Sequence, residues 1–292
     1  MRLATLLITA EGRLRLGWRL TLFVFGTVSV TLLLSALLPA GLIGGSAGLL
    51  CGALLTGSGL LKLDGMGPGS LGFYASVEAV SETGKGFGLG VTLGLVVVGL
   101  MATMGGLQWE AGVGSPTEWV WSGMSGALLL LLPAAAEEAF LRGYPLQALA
   151  EVWGRSNAVA VTAFAFGLLH LGNPGAGVLS TANVMVAGVL LGVVYIKTLS
   201  LWWATGVHLG WNWAHGFVAD VPVSGLEVMD TPMYDGVPMG SPWIGGGSFG
   251  PEGSVVATVV LLGVAGACWY GPWLRPGNAA RAVGSLSTRN ED

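Results

Sequence analysis

Charge is what this chain has least of. Only 10% of its 292 residues are Asp, Glu, Lys or Arg, while 53% are hydrophobic and the mean hydropathy is +0.72. A soluble domain carries about 25% charged residues, so that class is excluded, and a nucleic-acid surface, which needs clustered Lys and Arg, is excluded with it. Cysteine is nearly absent. Cys51 and Cys268 stand far apart in apolar runs, with no partner at metal or redox spacing, which leaves them as packing residues. No phosphate loop or dinucleotide fingerprint is present, because GLGVTLG (88–94) lacks the strand-to-helix setting that such glycines require. A cleavable leader is not expected either. The apolar run from Leu20 to Ile43 follows Arg2, Arg13, Arg15 and Arg19 but is longer than the ~7–15 residues of a signal core, so it reads as a retained span.

What is abundant is long apolar sequence. Runs able to cross a ~30 Å hydrocarbon core fall at 18–40, 43–61, 86–107, 120–149, 157–172, 178–196, 200–218 and 254–271. The expected fold is an all-α polytopic membrane protein of about eight transmembrane helices with both termini cytoplasmic. Under that topology Arg2, Arg13, Arg15, Arg19, Lys62, Lys85, Arg155, Lys197, Arg275, Arg281 and Arg289 all face the cytoplasm, as the positive-inside rule demands. The stretch from Ala219 to Gly253 falls outside and contains no Lys or Arg. The RLRLGWR run reads as an orientation signal that also touches anionic headgroups. Glycine, at 50 residues, is well above the usual ~7% and signals close helix packing in a bilayer. Three regions are expected: spans one and two with a cytoplasmic loop (1–85), a larger membrane domain (86–271), and a polar cytoplasmic tail (272–292).

Few strongly polar side chains fall within the spans. They are Glu137, Glu138 and Arg142 in the fourth, His170 near the end of the fifth, and His208, Asn212 and His215 in the seventh. An intramembrane carboxylate costs roughly 2.5–3.5 kcal/mol on insertion scales and marks a functional site unless it is paired. Glu138 and Arg142 are four apart and share a helix face, so they are expected to pair. Glu137 is rotated about 100° from its neighbour and stays free. His208 and Asn212 share a second face, and His215 reads as a packing residue. A carboxylate, two imidazoles and an amide meeting in a dry cavity can hold and activate a water, bind a divalent metal, and donate to an oxyanion, which are the parts of amide hydrolysis. The same groups could instead be a proton relay of a transporter, or polar packing in a non-catalytic scaffold.

These residues carry a resemblance. EEAFLR (137–142), FGLLH (166–170) and HLGWN (208–212) resemble, in order, the EExxxR, FxxxH and HxxxN motifs of the CPBP family of intramembrane proteases. That family includes CAAX prenyl endopeptidases, bacteriocin-processing and immunity proteins, and Abi proteins. The resemblance spans about Gly86 to Tyr270, and SFGPEGS ahead of the last span adds to it. It implies that Glu137 activates the attacking water, assisted by His170, and that His208 and Asn212 bind the scissile carbonyl and its oxyanion. Glu138 and Arg142 would support them. Glu137, His170 and His208 are the implied ligands if a metal is used, zinc being the first candidate. The implied partners are a membrane-bound or lipidated peptide and membrane lipids, with no nucleic acid. The implied location is the plasma membrane, with a cavity reached from the cytoplasm or laterally from lipid.

Overall fold

The computed structural model describes residues 6–289, so Arg2 lies outside the described chain. The helices are α1 (Leu16–Ser35), α2 (Leu42–Leu63), α3 (Glu78–Thr103), α4 (Pro116–Glu138), α5 (Tyr144–Trp153), α6 (Arg155–Leu169), α7 (Val178–Thr198), α8 (Leu201–Trp213), α9 (Val255–Tyr270) and α10 (Asn278–Val283). Five helical stretches are long and apolar enough to cross a membrane: α1, α2, α3, the continuous Pro116–Trp153 stretch, and α7. The expectation of an all-α membrane protein holds, but five such stretches stand among the described residues where eight were expected. The helices α6, α8 and α9 have 15, 13 and 16 residues, about 20–24 Å at 1.5 Å per residue, which falls short of a ~30 Å core. Two short strands interrupt the all-helical expectation. β1 (Leu107–Ala111) pairs antiparallel with β2 (Tyr234–Pro238) and ties the long loop after α8 to the end of α3.

The helices run alternately between two ends of the bundle. One end gathers the start of α1, the end of α2 and the end of α5 through ion pairs. Arg19 donates from Nε to the Tyr144 hydroxyl (2.7 Å), from Nη1 to Glu151 (2.8 Å) and from Nη2 to Asp64 (2.9 Å). Arg13 reaches Glu151 at 2.6 Å, and Arg289 bonds the Asp64 carbonyl at 2.6 Å. The sequence reading gave Arg13 and Arg19 to orientation and headgroups. Arg19 is instead only 2% exposed, because Asp64 and Glu151, remote in sequence, arrive beside it. The tail docks here too: Gln147 accepts from Ser285 Oγ (2.8 Å) and Leu286 N (3.1 Å), and Leu286 is fully buried. At the opposite end Ser122 bonds the Asp230 carbonyl, Asn173 the Ser224 carbonyl, and Asn183 the carbonyls of Glu252 and Ser254.

Glycine sets the closest helix approach, as expected. Gly86 and Gly90 of α3 face Gly206 and Gly210 of α8, and a Cβ at any of the four would collide with the backbone of the facing helix. That contact fixes the depth and rotation of α8, which carries His208 and Asn212.

Two outcomes follow from this packing. Arg19→Ala leaves Asp64 and Glu151 short of a buried partner, and thermal unfolding in detergent should show a loss of about 3–5 kcal/mol. Gly210→Val overpacks a backbone contact and should cost at least ~1–3 kcal/mol in the same assay, while Gly59→Val, where nothing lies within 4 Å, should be near neutral.

Candidate active site

The site is built where α4 stops being a regular helix. Ser115 caps α4 in a capping box with Glu118, and Pro133 inside it lacks the N–H that would bond the Leu129 carbonyl. Residues Ala139–Gly143 then widen into a π turn, and Pro145 follows at the start of α5. Such a turn redirects side chains and is common at functional sites. It places Glu138 and Arg142 inward, both fully buried, and leaves the Glu137 side chain 33% exposed toward a cavity.

Glu138 is an anchor. Its Oε1 accepts from Arg142 Nη1 at 3.1 Å and from His208 Nδ1 at 2.9 Å. Arg142 also donates to the Gly188 carbonyl of α7 at 3.2 Å and lies 4.5 Å over the Phe166 ring. The expected pair is therefore present, and it has a third member that helical spacing within α4 could not disclose. In hydrocarbon each of these charges needs the others.

Glu137 is the opposite case. Its Oε2 lies 3.9 Å from Nε2 of His170 and 3.9 Å from Nε2 of His208, and it is buried with no hydrogen-bond partner. An unpartnered buried carboxylate oxygen costs several kcal/mol unless something fills the gap. Both rings are held from behind. His170 Nδ1 bonds the Phe166 carbonyl at 2.8 Å and His208 Nδ1 bonds Glu138, so both Nε2 atoms face Glu137. Phe166 packs edge-on against both imidazoles, with centroids at 4.6 and 5.8 Å. The two Nε2 atoms thus face the Glu137 oxygen across gaps too long for direct hydrogen bonds, which a water can bridge.

The same atoms do not fit zinc as they stand. Zinc holds ligands at about 2.0–2.2 Å, so two ligand atoms on one ion cannot be more than about 4.4 Å apart. Among the described residues the His, Cys, Asp and Glu side chains with three ligand atoms mutually within 4.8 Å are Asp220, Asp230 and Asp235 in the loop; Glu137, His170 and His208 do not form such a group. The chemistry of the donors suits a metal and the two 3.9 Å separations from Glu137 lie within that limit; it is the wider separation of the two imidazole nitrogens that keeps the three from closing on one ion.

The cavity holds about 410 Å³ and is lined by Glu137, His170, His208 and Asn212 among Leu42, Leu130, Pro133, Phe140, Val223 and Leu226. Behind it a chamber of about 30 Å³ touches His170, His208, Asn212, Trp211, Ser224 and Glu252. All four expected catalytic residues therefore share one cavity. His215, expected to be a packing residue, is fully buried and packs edge-on against Trp211 with ring centroids 4.5 Å apart. The sequence reading missed Glu252 and Ser224. Glu252 accepts from Trp211 Nε1 (2.9 Å) and from Ser224 Oγ (2.5 Å). The signal was available in SFGPEGS, a carboxylate at a span entry with no basic residue in the whole Ala219–Gly253 stretch to pair it.

Residues 119–214 match the family model described as type II CAAX prenyl endopeptidase Rce1-like. Over these residues, about a third of the chain, the sequence is similar to that family. The Rce1-like segment contains Glu137, Glu138, Arg142, His170, His208 and Asn212, and excludes Ser224 and Glu252. No curated protein and no solved structure matches the chain.

If Glu138 is the anchor of the Rce1-like segment, Glu138→Gln leaves Arg142 buried without its countercharge. Thermal unfolding should then show a loss of about 3–5 kcal/mol, whereas Glu137→Gln, which relieves an unpartnered oxygen, should leave the midpoint unchanged or raise it.

Proposed function

We propose that this protein is an intramembrane endopeptidase in which Glu137 activates a water for attack on a peptide carbonyl. The observation that carries the reading is the buried, unpartnered Glu137 Oε2 aimed between two imidazole Nε2 atoms. Glu137 takes a proton from the water as its oxygen bonds to the carbonyl carbon. His170, its Nδ1 fixed by the Phe166 carbonyl, accepts the water's other hydrogen through Nε2 and orients it. The carbonyl becomes an oxyanion, which accepts from the Asn212 amide and from a proton on His208 Nε2. Glu138 behind the His208 ring stabilises that proton. Collapse of the intermediate breaks the C–N bond, and the leaving amine takes the proton held by Glu137. No acyl-enzyme forms, and the route needs no metal.

The family's described activity supports a peptide substrate, and the leucine-rich cavity suits apolar or lipid-modified residues beside the scissile bond. We place the protein in the plasma membrane, with the end bearing Arg13, Arg19, Lys62 and Arg155 in the cytoplasm.

The test is cleavage by the purified protein in lipid of prenylated and plain C-terminal peptides and membrane-tethered reporters. Wild type should cleave a member of the panel. Glu137→Gln and His208→Ala should lower the rate roughly 10²–10⁴-fold, and chelator should leave it unchanged. Full cleavage by Glu137→Gln would refute the reading, and loss with chelator restored by zinc would refute its metal-free form.

A further inference from the structure

The catalytic cavity has a mouth at one end of the bundle, and the basic residues mark the other. The rim carries exposed apolar side chains from segments distant in sequence: Leu42 at the start of α2 (38%), Leu169 at the end of α6 (59%) and Leu226 of the loop after α8 (39%). Val223, Ser224 and Val228 of the same loop also line it. His170 follows α6, which starts at Arg155, so it stands about 22 Å from the basic end. The basic end is sealed. Tyr144, Arg19, Asp64 and Glu151 close it with buried hydrogen bonds, and Gln147 bridges the Ser70 carbonyl and Ser285 there.

Every Lys and Arg of the described chain except the buried Arg142 lies toward the sealed end. Arg13, Arg15 and Arg19 open α1, Lys62 closes α2, and Lys85 lies in the first third of α3. Arg155 opens α6, Lys197 closes α7, and Arg275, Arg281 and Arg289 follow α9. At the mouth end, the stretch from Ala219 to Gly253 carries Asp220, Glu227, Asp230, Asp235 and Glu252 and no basic residue. An asymmetry this complete sets orientation in the bilayer.

We infer that the catalytic cavity opens on the non-cytoplasmic side of the membrane, so that its substrate is a polypeptide segment presented from that side or from the outer leaflet. The inference rests on the proteolytic reading for the word substrate, but the sidedness stands on charge and cavity geometry alone. It replaces cytoplasmic entry, which the sequence reading had allowed. The entering segment passes the strap from Pro222 to Leu226. A short backbone pairing of Val223 with Leu226 shapes that strap, and bonds from Asn173 to the Ser224 carbonyl and from Ser224 Oγ to Glu252 hold it. The rim is apolar and its surroundings are acidic, so it accepts an apolar stretch more readily than a free C-terminal carboxylate, for which the cavity lining offers no Lys or Arg.

The sidedness is read by thiol labelling of the full chain in intact cells. In a Cys51→Ser, Cys268→Ala background, single cysteines are placed by Leu226→Cys at the rim, Phe140→Cys in the cavity wall and Val283→Cys at the basic end. A small charged, membrane-impermeant thiol reagent should modify Leu226→Cys and Phe140→Cys in intact cells, and Val283→Cys only after permeabilisation. Modification of Val283→Cys from outside, with the other two protected until permeabilisation, would overturn the inference and leave the protease reading intact. Correct sidedness with no peptide cleavage would do the reverse. A background protein that fails to reach the membrane is replaced by wild type carrying protease-cleavable tags at the 226 loop and the C-terminus, with the same two patterns expected.

Discussion

A carboxylate without water must find its charge balance in the protein, and Glu138 is where this chain meets that requirement. Its Oε1 serves both Arg142 and His208, Arg142 reaches the Gly188 carbonyl, and Phe166 lies under the guanidinium. Four passages, those of α4, α6, α7 and α8, are thereby referenced to one buried atom group. Moving any of them leaves a charge uncompensated in hydrocarbon, which is a steeper penalty than the loss of an ordinary packing contact. Glu138 bonds through Oε1 alone and its Oε2 is buried without a partner, but its two bonds to cationic or N–H donors hold it in place, whereas Glu137 Oε2 faces its two imidazoles only at 3.9 Å. Two unpartnered carboxylate oxygens, one on each glutamate, are tolerated inside a frame that cannot easily relax.

The rest of the fold maintains that frame. Pro133 and Pro145 bracket the π turn that sets the two glutamates at different angles to the bundle. The glycine faces of α3 and α8 let two backbones touch, so His208 is located by main chain rather than by deformable side chains. At the basic end, Arg19 and Glu151 lock α1 to α5 and keep that side closed, and the loop beyond α8 is stitched to α3 by β1 and β2. The function thus depends on a bundle that is tight at one end and carries its opening at the other.

Much of the site was legible because polar residues are so scarce in the spans. Glu137, His170, His208 and Asn212 stood out against an apolar background, and the four-residue spacing of Glu138 and Arg142 was enough to pair them. The bond from Glu138 to His208 was not legible, since periodicity relates residues on one helix and not across 70 positions. For the same reason Arg13 and Arg19 read as headgroup contacts, when their partners Asp64 and Glu151 come from other helices. The short strands escaped notice because neither LQWEA, buried only at Leu107, nor YDGVP, half-buried or exposed throughout, has a buried alternate face. The resemblance and the donor types made zinc a candidate, but ligand type is visible in a sequence and the distance between ligand atoms is not.

The central claim is that water, activated by Glu137, attacks the peptide directly. It is tested most directly by a single turnover in water enriched in oxygen-18, with the product and the Glu137 peptide both analysed by mass. The account predicts one heavy oxygen in the new C-terminal carboxylate after the first turnover and none in Glu137. Label appearing in Glu137, with an unlabelled carboxylate in a share of the product, would mean that the glutamate itself attacks and forms an anhydride. That result would contradict the account.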